Sequence, residues 1–488
     1  MAGGAWEILQ NLQPYEVFKY FEEISNIPRG SGNEKAISDY LVNFGKNLGL
    51  ETIQDKALNV IIKKPATKGY ENAPTVIIQG HMDMVCEKNK DTEHDFTKDP
   101  IKLVVKGDEI YADGTTLGAD NGIAVAYALA VLADNSIEHP AIEVLLTTDE
   151  ETGMTGAMNI NKDDIQGKIL LNIDSEEEGY LLVSCAGGIR TKSSLDITWE
   201  TLNDEKIFEI SVRGLKGGHS GSDIHEWRGN SNKLMGRVLK DLLEKIDYKI
   251  VSINGGSKNN AIPREADGII AIKSADEEKL VRIVETWDKV FKKELEAQDP
   301  GVSLTVKEVS VESKKAFNKE TTEKAVNLLF VYPNGVNTMS RNIDGLVESS
   351  TNIGILTTTD SEVIFDSAVR SSVPSLRADI EEKIKTITEL AGAKYSANDG
   401  YPGWEYKADS KIREICKDVY KKMYGDEPVV YALHAGVECG LFEEILGDLD
   451  MISFGPNIRG AHTPEEHLSI SSTKKVWEYL LEVLKAIK

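Results

Sequence analysis

The sequence predicts an α/β protein: a domain with a central mixed sheet flanked by helices, interrupted by an inserted α+β domain. Three observations lead there. Residues 1–187 alternate short, continuously apolar runs with helical stretches, the pattern of strands covered on both faces. From about residue 189 to 394 apolar and polar residues alternate, as in Phe208-Glu209-Ile210-Ser211-Val212-Arg213, which fits a sheet with one wet face. After Tyr395 the continuously apolar runs return. At 488 residues the chain exceeds one typical core. The expected division is 1–187 and 396–488 for the two parts of the first domain, and 188–395 for the insertion.

Residues 8–48 read as two helices joined by the turn Pro28-Arg29-Gly30-Ser31-Gly32. Strands are expected at 59–62, 75–78, 141–146, 168–173 and 180–183. Between the second and third of these, residues 122–133 (GIAVAYALAVLA) form a helix of small apolar residues that can pack closely on such a sheet. The insertion reads as two similar strand-helix-strand-strand-helix halves. The first half has a strand at 206–213, a helix at 229–246, strands at 249–253 and 267–273, and a helix at 276–295. The second has a strand at 302–310, a helix at 320–331, strands at 348–357 and 361–370, and a helix at 375–391. Element order alone supports the repeat. Buried strands are expected again at Val429-Val430-Tyr431 and Met451-Ile452-Ser453, followed by a closing helix over 472–487.

A net charge of −24 argues against nucleic acid or an anionic membrane as partner. The four cysteines, Cys86, Cys185, Cys416 and Cys439, have no zinc-knuckle or C-x-x-C spacing and read as free thiols of a reducing compartment. The opening MAGGAWEILQNLQPYEVFKYFEEI lacks a basic stretch and a long apolar core, so it is not a secretory signal. No apolar run approaches the roughly 18–20 residues of a membrane span. A cytoplasmic protein is expected.

Five short islands carry metal-ligand side chains near strand ends: His81-Met82-Asp83, Gly118-Ala119-Asp120-Asn121-Gly122, Thr148-Asp149-Glu150-Glu151-Thr152-Gly153, Asn172-Ile173-Asp174 and Gly460-Ala461-His462. Histidines and carboxylates without cysteine suit borderline divalent ions such as zinc, manganese or cobalt. His81 and Asp83, two apart in extended chain, face the same way, so Asp83 can hold the imidazole. Asp120 could bridge two ions, although alone it would pass for a helix cap. Adjacent Glu150 and Glu151 on extended chain would point apart, one toward metal and the other toward water. Each island has a bland alternative, such as a solvated acidic turn or a structural histidine. A random chain rarely gives five such strand ends together. His462 lies far along the chain and can join the others only if the last segment folds back onto the first domain.

These islands resemble the M20 family of co-catalytic metallopeptidases, and within it the branch of cytosolic non-specific (aminoacyl-histidine) dipeptidases. The resemblance extends through Met84-Val85-Cys86-Glu87-Lys88, Asp95-Phe96, Asp99-Pro100-Ile101, Gly217-Gly218-His219-Ser220-Gly221, Asn260-Ala261-Ile262-Pro263, Tyr401-Pro402-Gly403-Trp404 and His434-Ala435-Gly436-Val437-Glu438-Cys439-Gly440, in order along nearly the whole chain. It implies two divalent ions per subunit, zinc first, with manganese or cobalt as alternatives. His81 and Asp174 would bind one ion, Glu151 and His462 the other, with Asp120 between them. It further implies that Asp83 orients His81 and that Glu150 is the general base. His219 would stabilise the oxyanion, and Asn260, Arg370 and the Gly436 backbone would hold a substrate carboxylate.

The implied reaction is hydrolysis of unblocked dipeptides with broad specificity, Xaa-His included. N-acyl-amino-acid deacylation, tripeptide cleavage and a non-catalytic metal-binding role are the alternatives. The insertion is expected to act as a lid. Simpler members carry a single unit that pairs between subunits, whereas two halves in one chain would place that pairing within the chain. A homodimer is the expected assembly, with a monomer as the alternative.

Overall fold

The computed structural model describes residues 8–312, 314–398 and 400–488, so the first residues of the N-terminal stretch, 1–7, lie outside it. The chain divides into two compact units. One comprises Met1–Ser184, Tyr406–Ala432 and Glu438–Lys488, and the other Cys185–Glu405 and Leu433–Val437.

An eight-stranded mixed sheet organises the first unit, in the order Glu51–Gln54, Val60–Lys64, Ile142–Thr147, Val76–His81, Ile169–Asn172, Asp450–Ser453, Tyr180–Cys185 and Val429–Leu433. The four strands from Ile142–Thr147 to Asp450–Ser453 run parallel. Val76–His81 and Ile142–Thr147 are buried at every position, as their continuous apolar runs require. Helix Ala119–Ala133 is buried along almost its whole length, and its small side chains let it lie close to the sheet. It shares one apolar core with Phe18, Phe21 and Ile24 of helix Tyr15–Ser25 and with Leu480, Val483 and Leu484 of the closing helix Ile470–Ala486.

Two features differ from the sequence expectation. Val429–Leu433 is a strand but not a buried one: it lies at the edge of the sheet, with every residue exposed or half-buried. Its place in the strand order, not its composition, decides its exposure. A hairpin, Leu103–Lys106 with Glu109–Ala112, also joins Ile458–Arg459 and His467–Ser469 in a separate four-stranded sheet that was not expected.

The second unit is built on an antiparallel sheet in the order Ser303–Glu308, Lys206–Arg213, Ala266–Ile272, Tyr248–Gly255, Val347–Thr358, Glu362–Ser371, Gly187–Asp196 and Lys394–Ala397, with Gly335–Met339 added alongside Val347–Thr358. Inward residues Ile210, Ile270, Ile353 and Phe365 pack in one core with Met235, Leu239, Ile283, Leu329 and Ile384 from the four helices Ser231–Lys245, Glu277–Glu294, Lys319–Val331 and Pro374–Leu390. Each half has the strand-helix-strand-strand-helix order, but the halves are not consecutive. Ser303–Glu308 pairs with Lys206–Arg213 and so closes the first half. The second half begins instead with Gly187–Asp196, which pairs with Glu362–Ser371. The first half is therefore inserted into the second, and the two meet where Gly255 faces Leu356 at the centre of the sheet.

Candidate functional site

Parallel strands present their carboxyl ends along one edge, where open α/β sheets gather functional side chains. His81 ends Val76–His81, the Asp149-Glu150-Glu151 run follows Ile142–Thr147, and Asp174 follows Ile169–Asn172. The fourth parallel strand, Asp450–Ser453, leads to the loop carrying His462, between Ile458–Arg459 and His467–Ser469. Asp120 joins from the first turn of Ala119–Ala133, and its peptide to Asn121 is cis. A histidine remote in sequence thus reaches the others because its strand is the parallel neighbour of the strand before Asp174.

The side chains converge on three overlapping groups, one of which joins His81 to Glu150 and Glu151. His81 Nε2 lies 3.1 Å from Asp120 Oδ1 and 3.4 Å from Asp174 Oδ1. His462 Nε2 lies 3.1 Å from the other Asp120 oxygen and 3.0 Å from Glu151 Oε2. Candidate ligand atoms of His81, Asp120 and Asp174 lie within 4.8 Å of one another, as do those of Asp120, Glu151 and His462. Asp120 belongs to both of these groups, one oxygen to each. Glu150 Oε2 is 4.0 Å from His81 Nε2. The Asp149-Glu150-Glu151 run is a turn rather than the extended chain expected from sequence, and Asp149 has a φ of 57°. His462 also has a positive φ, 65°. Left-handed backbone at non-glycine residues is uncommon and collects at functional sites.

Buried polar residues hold these loops in place. Asp83 lies 3.3 Å from His81 Nδ1 and accepts the Glu150 and Glu151 backbone N–H groups and the Ser31 hydroxyl. Four residues without a role in the sequence reading prove central to this scaffold. The Arg29 guanidinium, 2% exposed, donates to the carbonyls of Met82, Asp83 and Gly118, tying the His81 loop to the Asp120 loop. Glu466 accepts the backbone N–H groups of Leu117, Gly118 and Asp120, tying that loop to the segment carrying His462. The Asn121 side chain accepts from the His81 backbone and donates to the Ile173 carbonyl. Glu438, 1% exposed, accepts from Gln79 and Thr147 on the adjacent strands. Glu466 follows His462 closely, Asn121 follows Asp120, and Glu438 stands in His434-Ala435-Gly436-Val437-Glu438-Cys439-Gly440. Those positions were the only signal available.

Burial and close packing of carboxylates and imidazoles shift the groups of this cluster. Burial raises Glu150 to about 9, with His81 pulling it down and Asp174, Glu438 and Glu151 pushing it up. Burial likewise raises Asp174 to about 6 and Glu438 to about 8. Hydrogen bonds to Asp120 and Glu151 lift His462 to about 11. Burial opposes charge on His81, but Asp174, Asp120 and Asp83 outweigh it and hold the ring well above its ordinary value. Asp83 is held at about 2 because His81, Ser31 and the Glu150 N–H overcome its burial. Like-charged carboxylates packed this closely favour a proton or a cation among them. Imidazole and carboxylate donors alone, with Asp120 shared, fit two divalent ions.

The remaining predicted residues lie in the second unit. His219 Nδ1 accepts the backbone N–H groups of Gly221 and Ser222, so the neutral ring carries its proton on Nε2. Burial and Arg370 hold its pKa below the ordinary value. Arg370 is 8% exposed, donates to the Tyr401 hydroxyl at 2.7 Å, and lies near Ser220. Arg370, Asn260 and Tyr401 line a cleft of about 310 Å³. The Gly436 backbone approaches the Tyr401 ring. His434 is neutral, pushed down to about 3 by burial and by Arg370 and His219, and hydrogen-bonds Ser350.

A carboxylate shared between two imidazole-bearing groups at the carboxyl edge of a parallel sheet is an arrangement of the kind that metal-assisted hydrolysis uses. The model of peptidase family M20/M25/M40 matches residues 77–486, and the chain belongs to that family. It is 40% identical over 480 residues to the cytosol non-specific dipeptidase of Escherichia coli (strain K12), covering 98% of this chain and 99% of that one. The crystal structure of aminoacylhistidine dipeptidase from Vibrio alginolyticus superposes with a TM-score of 0.95 at 41% identity, covering 99% of both chains. Aminopeptidase PepT from Bacillus cereus shares the fold, with a TM-score of 0.55 at 15% identity and coverage of 98% of this chain and 99% of that one.

Proposed function

We propose that the chain is a cytoplasmic, metal-dependent dipeptidase that hydrolyses unblocked dipeptides with broad specificity, Xaa-His included. The observation that carries this reading is the division of Asp120, one oxygen 3.1 Å from His81 Nε2 and the other 3.1 Å from His462 Nε2. The names of the E. coli and V. alginolyticus relatives supply the substrate class.

In this reading His81 and Asp174 hold one ion and Glu151 and His462 the other, with Asp120 shared. Zinc is the first candidate, manganese or cobalt the alternatives. Bound there, the ions supply Lewis acidity to the scissile carbonyl and make water a usable nucleophile at neutral pH. Glu150 takes the proton from that water and returns it to the departing amine. Asp83 fixes the orientation of the His81 ring. The inserted unit acts as a lid and supplies His219, whose Nε2–H donates to the developing oxyanion. Arg370, Asn260 and the Gly436 backbone grip the C-terminal carboxylate, for which a planar guanidinium is suited.

The test is metal analysis together with a panel of free dipeptides, N-acetyl amino acids and tripeptides, assayed with and without chelator. Dipeptide turnover that disappears on chelation and returns with zinc, manganese or cobalt is the expected result. Preferential cleavage of the acetylated or longer substrates would replace the dipeptidase reading with a deacylase or tripeptidase.

A further inference from the structure

Tyr401 stands in Tyr401-Pro402-Gly403-Trp404, and the proposed reaction gives it no part. Its surroundings are built for one ring in one place. Tyr401 and Gly188 exchange backbone hydrogen bonds at 2.9 and 3.0 Å. A Cβ on Gly188 would stand 2.5 Å from the Tyr401 hydroxyl and 2.6 Å from its Cζ, and a Cβ on Gly436 would stand 2.4 Å from its Cε2. Neither glycine is among those with positive φ, so space for the ring, not backbone conformation, requires them. The phenol is therefore clamped between two bare stretches of backbone.

Arg370 Nη1 donates to the Tyr401 oxygen at 2.7 Å. A phenol that accepts this bond keeps its own O–H proton to donate. No acceptor for that proton is recorded among the described residues. Arg370 Nε is likewise buried without a hydrogen-bond partner. Both residues line the cleft of about 310 Å³ that also contains Asn260. Two directed donors, one cationic and one neutral but polarised by it, match the two oxygens of a carboxylate.

We propose that the Tyr401 hydroxyl donates directly to the substrate's C-terminal carboxylate and shares that group with Arg370. The inference rests on the reading of Arg370 and Asn260 as the carboxylate grip. It adds a specificity element: the clamp selects peptides that end in a free acid. An amide at that end supplies N–H groups where the phenol needs an acceptor.

The experiment compares one dipeptide with its C-terminal amide in the wild type and in Tyr401→Phe, Arg370→Ala, Asn260→Ala and the Tyr401→Phe/Arg370→Ala double variant. Phenylalanine keeps the ring in its slot, and an unchanged Tm verifies the fold. Tyr401→Phe is expected to raise KM for the acid about 10-fold with kcat within about 2-fold, and to leave the amide unaffected, as loss of a bond to a charged group implies. The acid-to-amide ratio of kcat/KM then falls about 10-fold, and it falls further in the double variant than in Arg370→Ala alone. An unchanged ratio in Tyr401→Phe, with a collapsed one in Arg370→Ala, overturns the inference and spares the carboxylate grip. So does a double variant no worse than Arg370→Ala, since Tyr401 then acts only by propping Arg370. If neither Arg370→Ala nor Asn260→Ala changes the ratio, the grip itself is wrong and the inference falls with it.

Discussion

At the scale of single residues, the sequence exposed chemistry better than support. The ligand candidates were visible because histidines and carboxylates are conspicuous at the ends of apolar runs. Arg29 and Glu466 were not, because their importance lies in the backbone groups they reach across the fold. On the mechanism proposed above, Glu150→Gln removes the proton carrier and leaves His81, Asp120, Glu151, Asp174 and His462 unaltered. Metal content and Tm should remain normal while kcat falls by about 10²–10⁴-fold, and near-normal turnover would refute the assignment of the base. The proton-laden site also makes a pH prediction. Folded Glu150 and Glu438 keep protons up to about 9 and about 8, whereas unfolded carboxyls release them near 4. Between those values the folded chain binds more protons, so its stability falls as pH rises. His81 and His462, both raised, act in the same direction above the unfolded histidine value. Asp83, held at about 2, acts oppositely but only in acid, below about pH 4. The Tm of the chelated protein should therefore drop from pH 6 to pH 9, and the gain in Tm on adding zinc should grow over the same interval. Scanning calorimetry with and without metal checks both.

At the scale of elements, periodicity located most helices and strands, but partnership stayed hidden. Gly187–Asp196, sequence GGIRTKSSLD, offers few apolar residues, so nothing in it announces a strand flanked on both sides in a sheet. The boundary between the halves was misplaced for the same reason. Ser303–Glu308 follows the first half's last helix and would fit either half by order, and only its register with Lys206–Arg213 decides. Asn230 shows how the halves are fastened. Its side-chain oxygen caps helix Ser231–Lys245 through the Lys233 N–H, and its amide donates to Asn334, Asn352 and the Ile353 carbonyl in the other half. Asn230→Ala loses the cap and leaves buried acceptors unmet, a combined cost of about 2–4 kcal/mol. Urea denaturation should show that loss, whereas Glu244→Ala at an exposed position of the same helix should change stability by less than about 0.5 kcal/mol.

For the whole molecule, the chain order of the two halves has a functional reading. A Cβ placed on Gly221 would lie 3.1 Å from His219 Cε1 and 3.3 Å from Arg370 Nε, so residues from the two halves meet within one second unit. Mixing His219→Ala subunits with Arg370→Ala subunits should therefore restore no activity. Substantial recovery would mean that subunits exchange these residues. The order of assembly follows from the strand order of the first unit. Asp450–Ser453 lies between Ile169–Asn172 and Tyr180–Cys185, in the interior of the sheet. While the chain is being made, the slot for that strand stays open, with two unpaired edges, until residue 453 has emerged. At typical rates of synthesis that interval is on the order of tens of seconds. Throughout it the nascent protein already carries His81, Asp120, Glu151 and Asp174 but lacks His462, the neighbour of Asp120 and Glu151. Four of the five converging side chains thus wait on a strand made late in synthesis before the group of Asp120, Glu151 and His462 can form.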